Sequence, residues 1–176
     1  MSEAGPGTTG QTDGGTPAGS ARADALRWLA ARPLTEAELR TRLSRKGHDP
    51  EAVEQTLAAL RHAGWIDDRR LALDWIVLRA SRLGRGRERL LRELERRGVP
   101  PGTARAAWAE AVAAGDVDAA AVLRDSVGKR LRRHGGALGP AEFRRVYNAL
   151  LREGHEPGAI VEALRPHTHL PDPDEA

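Results

Sequence analysis

Cysteine is missing from this sequence, lysine occurs twice, and the aromatic residues are four Trp, one Tyr and one Phe in 176 positions. Without Cys there can be no disulfide and no thiolate metal site, and a cytoplasmic location is the expectation. With so few aromatic rings, a core must be built from Leu, Ala and Val, which the 40% hydrophobic content allows. No run of about 18 apolar residues exists and no apolar segment lies near the start, so neither a membrane span nor a signal peptide is expected. Alternation of apolar and polar residues over the length of a strand is almost absent too. Leu and Ala favour helix, and the expected class is all-α.

What is present is unevenly arranged. Residues 1–22 are rich in Gly, Ser, Thr, Pro and Ala, and 166–176 are Pro-broken and acidic. Neither offers an apolar period whose burial could offset the entropy of ordering, so both are expected to be disordered tails. The formal net charge is only +3, yet residues 69–97 hold ten Arg against Asp74, Glu88, Glu93 and Glu95, an excess of six positive charges. Such a segment suits a polyanionic partner or an acidic protein surface; the plainer reading is a solvated helix in an Arg-rich chain.

Three short stretches explain the architecture. "KGHDP" from Lys46, "RGVPP" from Arg97 and "EGHEP" from Glu153 each place a glycine three residues before a proline. Gly47, Gly98 and Gly154 are 51 and 56 residues apart. Four residues before them stand Leu43, Leu94 and Leu150; eight before, Leu39, Leu90 and Val146. Six after stand Val53, Ala104 and Ile160, and ten after, Leu57, Trp108 and Leu164. Apolar residues four apart mark one helix face on each side of the glycine. The glycine should end the first helix with φ > 0, and Pro50, Pro101 and Pro157 should open the next. Asp49 is a good N-cap, Glu156 a poorer one and Pro100 poorer still. Thr35 and Glu38 have the spacing of a capping box.

Each corner is preceded by a further helix, marked by Leu26 and Leu29, by Leu71, Trp75 and Leu78, and by Leu123, Val127 and Leu131. The expected helices are 24–32, 35–46, 50–63, 68–82, 86–97, 101–114, 116–133, 140–153 and 157–165. They form repeats at 23–67, 68–115 and 116–165. A unit this small buries too little alone, so the repeats should stack into an elongated, curved array.

Candidate chemistry is sparse. His48 and His155 occupy equivalent places in two corners, but Val99 stands there in the third, which favours a turn residue over a metal ligand. His167, His169 and Asp172 could hold a metal only loosely. Asp67 and Asp68 sit at a helix start, where a capping role is favoured. Ser44, Ser81 and Ser126 have no matching His and acid constellation. The four Trp read as core more readily than as base-stacking platforms, with Trp75 and Trp108 at apolar helical positions. No catalytic residue, cofactor or metal site is expected. Around Arg85, Gly84 and Gly86 lack the strand or the Gly-Lys-Ser/Thr of a nucleotide-binding loop. Arg85, Arg89, Arg92 and Arg96 instead fall three and four apart, a basic stripe that Glu88, Glu93 and Glu95 could neutralise in part.

The stretch 64–99, "GWIDDRRLALDWIVLRASRLGRGRERLLRELERRGV", resembles the central signature of the RecX family, modulators of the RecA recombinase. The matching residues are Gly64, Asp67-Asp68, Arg69 or Arg70, the apolar pair Leu71-Ala72, Arg79, Arg82, Gly84-x-Gly86, Arg89, Leu94 and Gly98. The resemblance covers roughly 23–165, with the third repeat matching in spacing only. Two positions depart from the family. It commonly has an aromatic residue at Leu71, which should be a packing change. It often has one at Arg85, where a possible contact residue is lost, charge is added and no aromatic role is carried over.

The resemblance implies a non-catalytic regulator made of tandem three-helix repeats. Such proteins lie in the groove of the RecA–single-stranded DNA filament and inhibit ATPase, strand exchange and filament growth. The partner residues it singles out, together with the stripe, are Arg79, Arg82, Arg85, Arg87, Arg89, Arg92 and Arg96. Binding to single-stranded DNA itself is expected to be weak. No heptad seam asks for a dimer, so a monomer is the expectation. The alternative is a helix-turn-helix reader of duplex DNA, but "PPGTARAAWAEA" (100–111) and "PEAVEQTLAAL" (50–60) offer little base-reading chemistry.

Overall fold

The computed structural model describes residues 18–134 and 138–168. Among these, nine α-helices are present: α1 (Ala18–Ala31), α2 (Glu36–Arg45), α3 (Pro50–His62), α4 (Asp68–Leu83), α5 (Arg87–Arg96), α6 (Pro101–Ala113), α7 (Ala119–His134), α8 (Pro140–Glu153) and α9 (Pro157–Leu164). A short 3₁₀ turn, Arg165–His167, follows. No strand occurs among the described residues, where Leu138 and Thr168 form one isolated parallel bridge. No described helix is long and apolar enough to cross a membrane.

The helices fall into three groups, each around its own core. Leu39, Leu43, Val53, Leu57 and Leu60 fill the first, Ile76, Leu90, Leu94, Ala104 and Trp108 the second, and Val127, Val146, Leu150, Ile160 and Leu164 the third. Apart from Leu60, Ile76 and Val127, these are the residues of the aligned spacing. On α4 the buried face is Ala72, Ile76 and Ala80, and Leu78, expected there, is 48% exposed. The molecule is thus an all-α tandem array of three-helix repeats, packed mainly within each repeat, with lighter contact between successive ones.

The corners form for the reasons their residues suggest. Gly47, Gly98 and Gly154 have φ of +87°, +86° and +88°. Pro50, Pro101 and Pro157 open α3, α6 and α9. Thr35 and Glu38 complete a reciprocal capping box on α2. Glu156 caps better than its type suggests: its two carboxylate oxygens accept from the Gly158 and Ala159 N–H groups at 2.9 and 2.6 Å. Those bonds hold its carboxyl below the usual range.

The ends differ from expectation. Residues 18–22, read as tail, form the first turn of α1, because Ala21 and Ala25 are fully buried in the first core. At the other end His167 and Thr168 are tied to Leu138, whose N–H donates to the His167 carbonyl at 2.7 Å. The remaining tail residues, 1–17 and 169–176, lie outside the described structure, as do His169 and Asp172. A second repeated corner also escaped the sequence reading. "AGWID" (63–67) and "AGDVD" (114–118) turn α3 into α4 and α6 into α7 in the same way. Ile66 and Val117 are buried there, while Asp67 and Asp118 accept from the Arg70 and Ala121 N–H groups.

Candidate partner-binding face on the central repeat

Helix α5 is strongly two-sided. Leu90, Leu91 and Leu94 are buried. At 100° per residue, Arg89, Arg92 and Arg96 cluster on the opposite side. The structure then sorts the seven arginines by what their guanidinium groups touch.

Three are held in place. Arg79 lies over the Trp75 ring, its guanidinium carbon 3.5 Å from the centroid, and its buried Nε has no hydrogen-bond partner among the described residues. Arg85 and Arg89 both donate to the Glu93 Oε1 atom, Arg89 at 3.0 Å, while Glu93 Oε2 accepts from the Trp75 indole at 3.3 Å. Glu93 is only 12% exposed, and its carboxylate offsets one of the two positive charges beside it. Arg87 pairs with Glu88 at 2.6 Å, both of them exposed, an arrangement worth little. Arg82, Arg92 and Arg96 are exposed and have no ion-pair partner among the described residues. The stripe expected from sequence is therefore split. One part is a fixed network around Trp75 and Glu93; the other is a set of solvated charges at the end of α4 and along α5.

The central repeat is clamped at both ends. Toward the first repeat, Arg97 donates to both Glu38 oxygens at 3.1 and 2.9 Å and lies 4.6 Å from the Trp75 centroid. Thr35 donates its hydroxyl to the Arg97 carbonyl at 2.6 Å, and the Glu36 N–H donates to Asp68 at 3.0 Å. Burial alone would raise the Glu38 pKa, but the Arg97 hydrogen bond, the Thr35 N–H and the charges of Arg97 and Arg32 outweigh it and hold the carboxyl low. Asp68 is shifted the other way: desolvation raises it, with Glu36 and Asp67 adding repulsion against the Glu36 N–H bond and Arg97.

Toward the third repeat, the N–H groups of Gly86 and Glu88 donate to the carbonyls of Glu153 and Gly154 at 2.8 and 3.0 Å. His155 Nε2 lies 3.1 Å from the Gly84 carbonyl. At this junction a groove of about 610 Å³ opens, lined by Trp108, Val122 and Leu123 together with Arg85, Arg87 and Arg124.

The remaining candidates are structural. His48, buried, meets Asp24 Oδ2 at 2.8 Å, and the same buried carboxylate takes Lys46 and Arg27. His155 is equally buried, and Val99 fills their place in the second corner. All three are side chains plugging a corner. Trp65, read as core, is 57% exposed, because it sits on the turn before the buried Ile66. Ser126 reaches only the Gly84 carbonyl, at 3.4 Å. Among the described residues no group of three His, Asp or Glu could hold a metal ion. Sequence reasoning overlooked Arg97 and the hub role of Glu93. The signal for Arg97 was its place directly before a corner glycine, where Lys46 stands in the first repeat.

A family model described as RecX, first three-helix domain, matches residues 21–60. The chain is 36% identical over 140 residues to the regulatory protein RecX of Amycolatopsis mediterranei, covering 78% of this chain and 77% of that one. The chain belongs to the RecX family. The regulatory protein RecX of a Mycobacterium species (strain JLS) is 34% identical over 148 residues, 82% of this chain and 79% of the relative. In fold, this RecX chain is similar to the crystal structure of RecX from Lactobacillus salivarius. The TM-score is 0.74 at 15% identity, over 85% of this chain and 95% of that one. A second solved regulatory protein RecX gives 0.71 at 19% identity, over 85% and 71%. By the names of these relatives, RecX is a family of regulatory proteins.

Proposed function

We propose that this chain binds the filament that the RecA recombinase forms on single-stranded DNA, and restrains RecA's ATPase, strand exchange and filament growth without catalysing a reaction of its own. Its setting is then the cytoplasm, in recombination and DNA repair. Family membership supports a regulatory role. The observation that carries the mode of action is the trio Arg82, Arg92 and Arg96, solvated and unpaired among the described residues of the central repeat. Cations left free in this way can approach phosphates or acidic protein patches without first breaking an internal ion pair. Arg79, Arg85 and Arg89 act indirectly, holding the α4–α5 surface rigid around Trp75 and Glu93. A tandem array adds up modest contacts along a helical partner, so each can be weak on its own.

The test is co-sedimentation with RecA filaments of the triple variant Arg82→Glu, Arg92→Glu, Arg96→Glu against the parent chain. Binding should fall at least tenfold, with helical content by circular dichroism unchanged. Undiminished binding would remove this face from the interface. Binding to bare single-stranded DNA should be weak, its salt dependence reflecting about three phosphate contacts.

A further inference from the structure

The two junctions between repeats use one device. The start of a corner's first helix in one repeat sits on the glycine corner of the next. At the first junction the Ala37 side chain fills the space that a Cβ on Gly98 would take, 2.3 Å from it. At the second, the backbone of Arg89 comes within 2.2 Å of a Cβ placed on Gly154. The glycine is thus needed for close approach as well as for its positive φ. The array has two ends where this device is left unused. Gly47, with the same φ of +87°, has nothing among the described residues within 4 Å of a Cβ placed on it, and Arg45, Lys46 and Gly47 are all exposed. At the opposite end, the start of α8 meets no further corner among the described residues.

These two ends match each other. "LGPAEF" (138–143) at the start of α8 repeats the pattern of "LTEAEL" (34–39) at the start of α2. Leu138 is buried as Leu34 is, each 2% exposed. Ala141 stands where Ala37 meets Gly98, and it is exposed. Glu142 stands where Glu38 takes Arg97. In the open corner the residue equivalent to Arg97 is Lys46; one of its three N–H groups serves Asp24 and the others remain for a second carboxylate. Helix polarity agrees as well: the free N–H groups of one helix start face the free carbonyls of a helix end.

We propose that copies of this chain associate head to tail, the start of α8 in one copy seating on the α2–α3 corner of the next. Ala141 then rests against Gly47, and Glu142 pairs with Lys46. A heptad seam is not required for such a contact. Because the two surfaces differ, the contact is heterologous and leaves a free end of each kind on every assembly. A contact of this size is weak, so it shows as growth with concentration and not as a fixed oligomer.

Sedimentation equilibrium of the full chain over two decades of concentration tests this. The weight-average mass should rise above the monomer's 19.0 kDa as concentration increases. Ala141→Arg places a long cation on an exposed helix position. Gly47→Asn adds a side chain at the corner while keeping a residue that tolerates positive φ. Each should lower the association constant at least tenfold with helical content intact, and Glu142→Lys, which repels Lys46, should do the same should the Gly47 variant fold poorly. An equal mixture of the Ala141 and Gly47 variants retains one intact surface of each kind, so it should form a dimer and nothing larger. A mass of 19.0 kDa at every concentration overturns the proposal. So does association that survives both variants, or a mixture that stays monomeric.

Discussion

Glu93 gathers Arg85, Arg89 and the Trp75 indole onto one carboxylate, and so determines how much of the basic face is available. Glu93→Gln removes the negative charge and releases two guanidinium groups toward solvent. Affinity for single-stranded DNA should rise, and the salt slope should steepen by about one to two phosphate contacts, measured by fluorescence anisotropy against salt concentration. An unchanged slope would mean that Arg85 and Arg89 stay locked without the carboxylate. His155 carries a second residue-scale prediction. Burial holds its pKa below the usual 6.5; Glu153 and the Gly84 carbonyl resist that shift and Arg130 adds to it. The unfolded chain therefore binds this proton more tightly than the folded one. Stability should be full above about pH 6.5 and fall as pH drops from there through the lowered folded value. His155→Gln keeps a donor for the Gly84 carbonyl and should flatten the melting temperature between about pH 5 and pH 7. An identical pH profile in the variant would assign the effect to other groups.

At the scale of elements, the corners were legible in the sequence because their signals are local. A Gly that must take positive φ, a Pro at the next helix start and Leu residues four apart all act within a dozen positions. The second corner, at Gly64 and Gly115, was equally local and was passed over because it lacks a proline. What the sequence could not reveal was long-range. The Arg97–Glu38 pair spans 59 positions and His155 to Gly84 spans 71, and no periodicity reports on either. The split of the basic stripe was legible only as a choice, since Glu93 lies within reach of Arg89 on any helix, whereas Arg85 arrives by a loop. The start of α1 was missed for a related reason: Ala21 and Ala25 have too little apolar surface to mark a face until α3 packs against them. The corners also differ in what they require of glycine. Gly47→Ala should cost about 1 kcal/mol, the left-handed backbone alone. Gly98→Ala and Gly154→Ala add overpacking against Ala37 and Arg89, and should cost about 2–4 kcal/mol in urea unfolding. Equal losses at the three glycines would contradict the close approach at the two junctions.

For the whole molecule, the junctions make the array a continuous support for the central face. Arg97 touches Glu38 and Trp75 together, and the α5 start is bonded to Glu153 and Gly154, so the arginines of α4 and α5 are presented from a segment fixed at both ends. Only the low net charge of +3 hides this from composition. Regulation of a polymer by such an array should depend on few molecules when growth is controlled, and on many when a groove must be coated. The measurement that tests the central claim most directly is RecA's single-stranded-DNA-dependent ATPase rate, with this protein titrated from sub-stoichiometric to equimolar amounts. The account predicts that the rate falls, and that the Arg82→Glu, Arg92→Glu, Arg96→Glu variant needs at least tenfold more protein for the same fall. A rate untouched by the parent chain at equimolar amounts, with RecA from the same species, would contradict it.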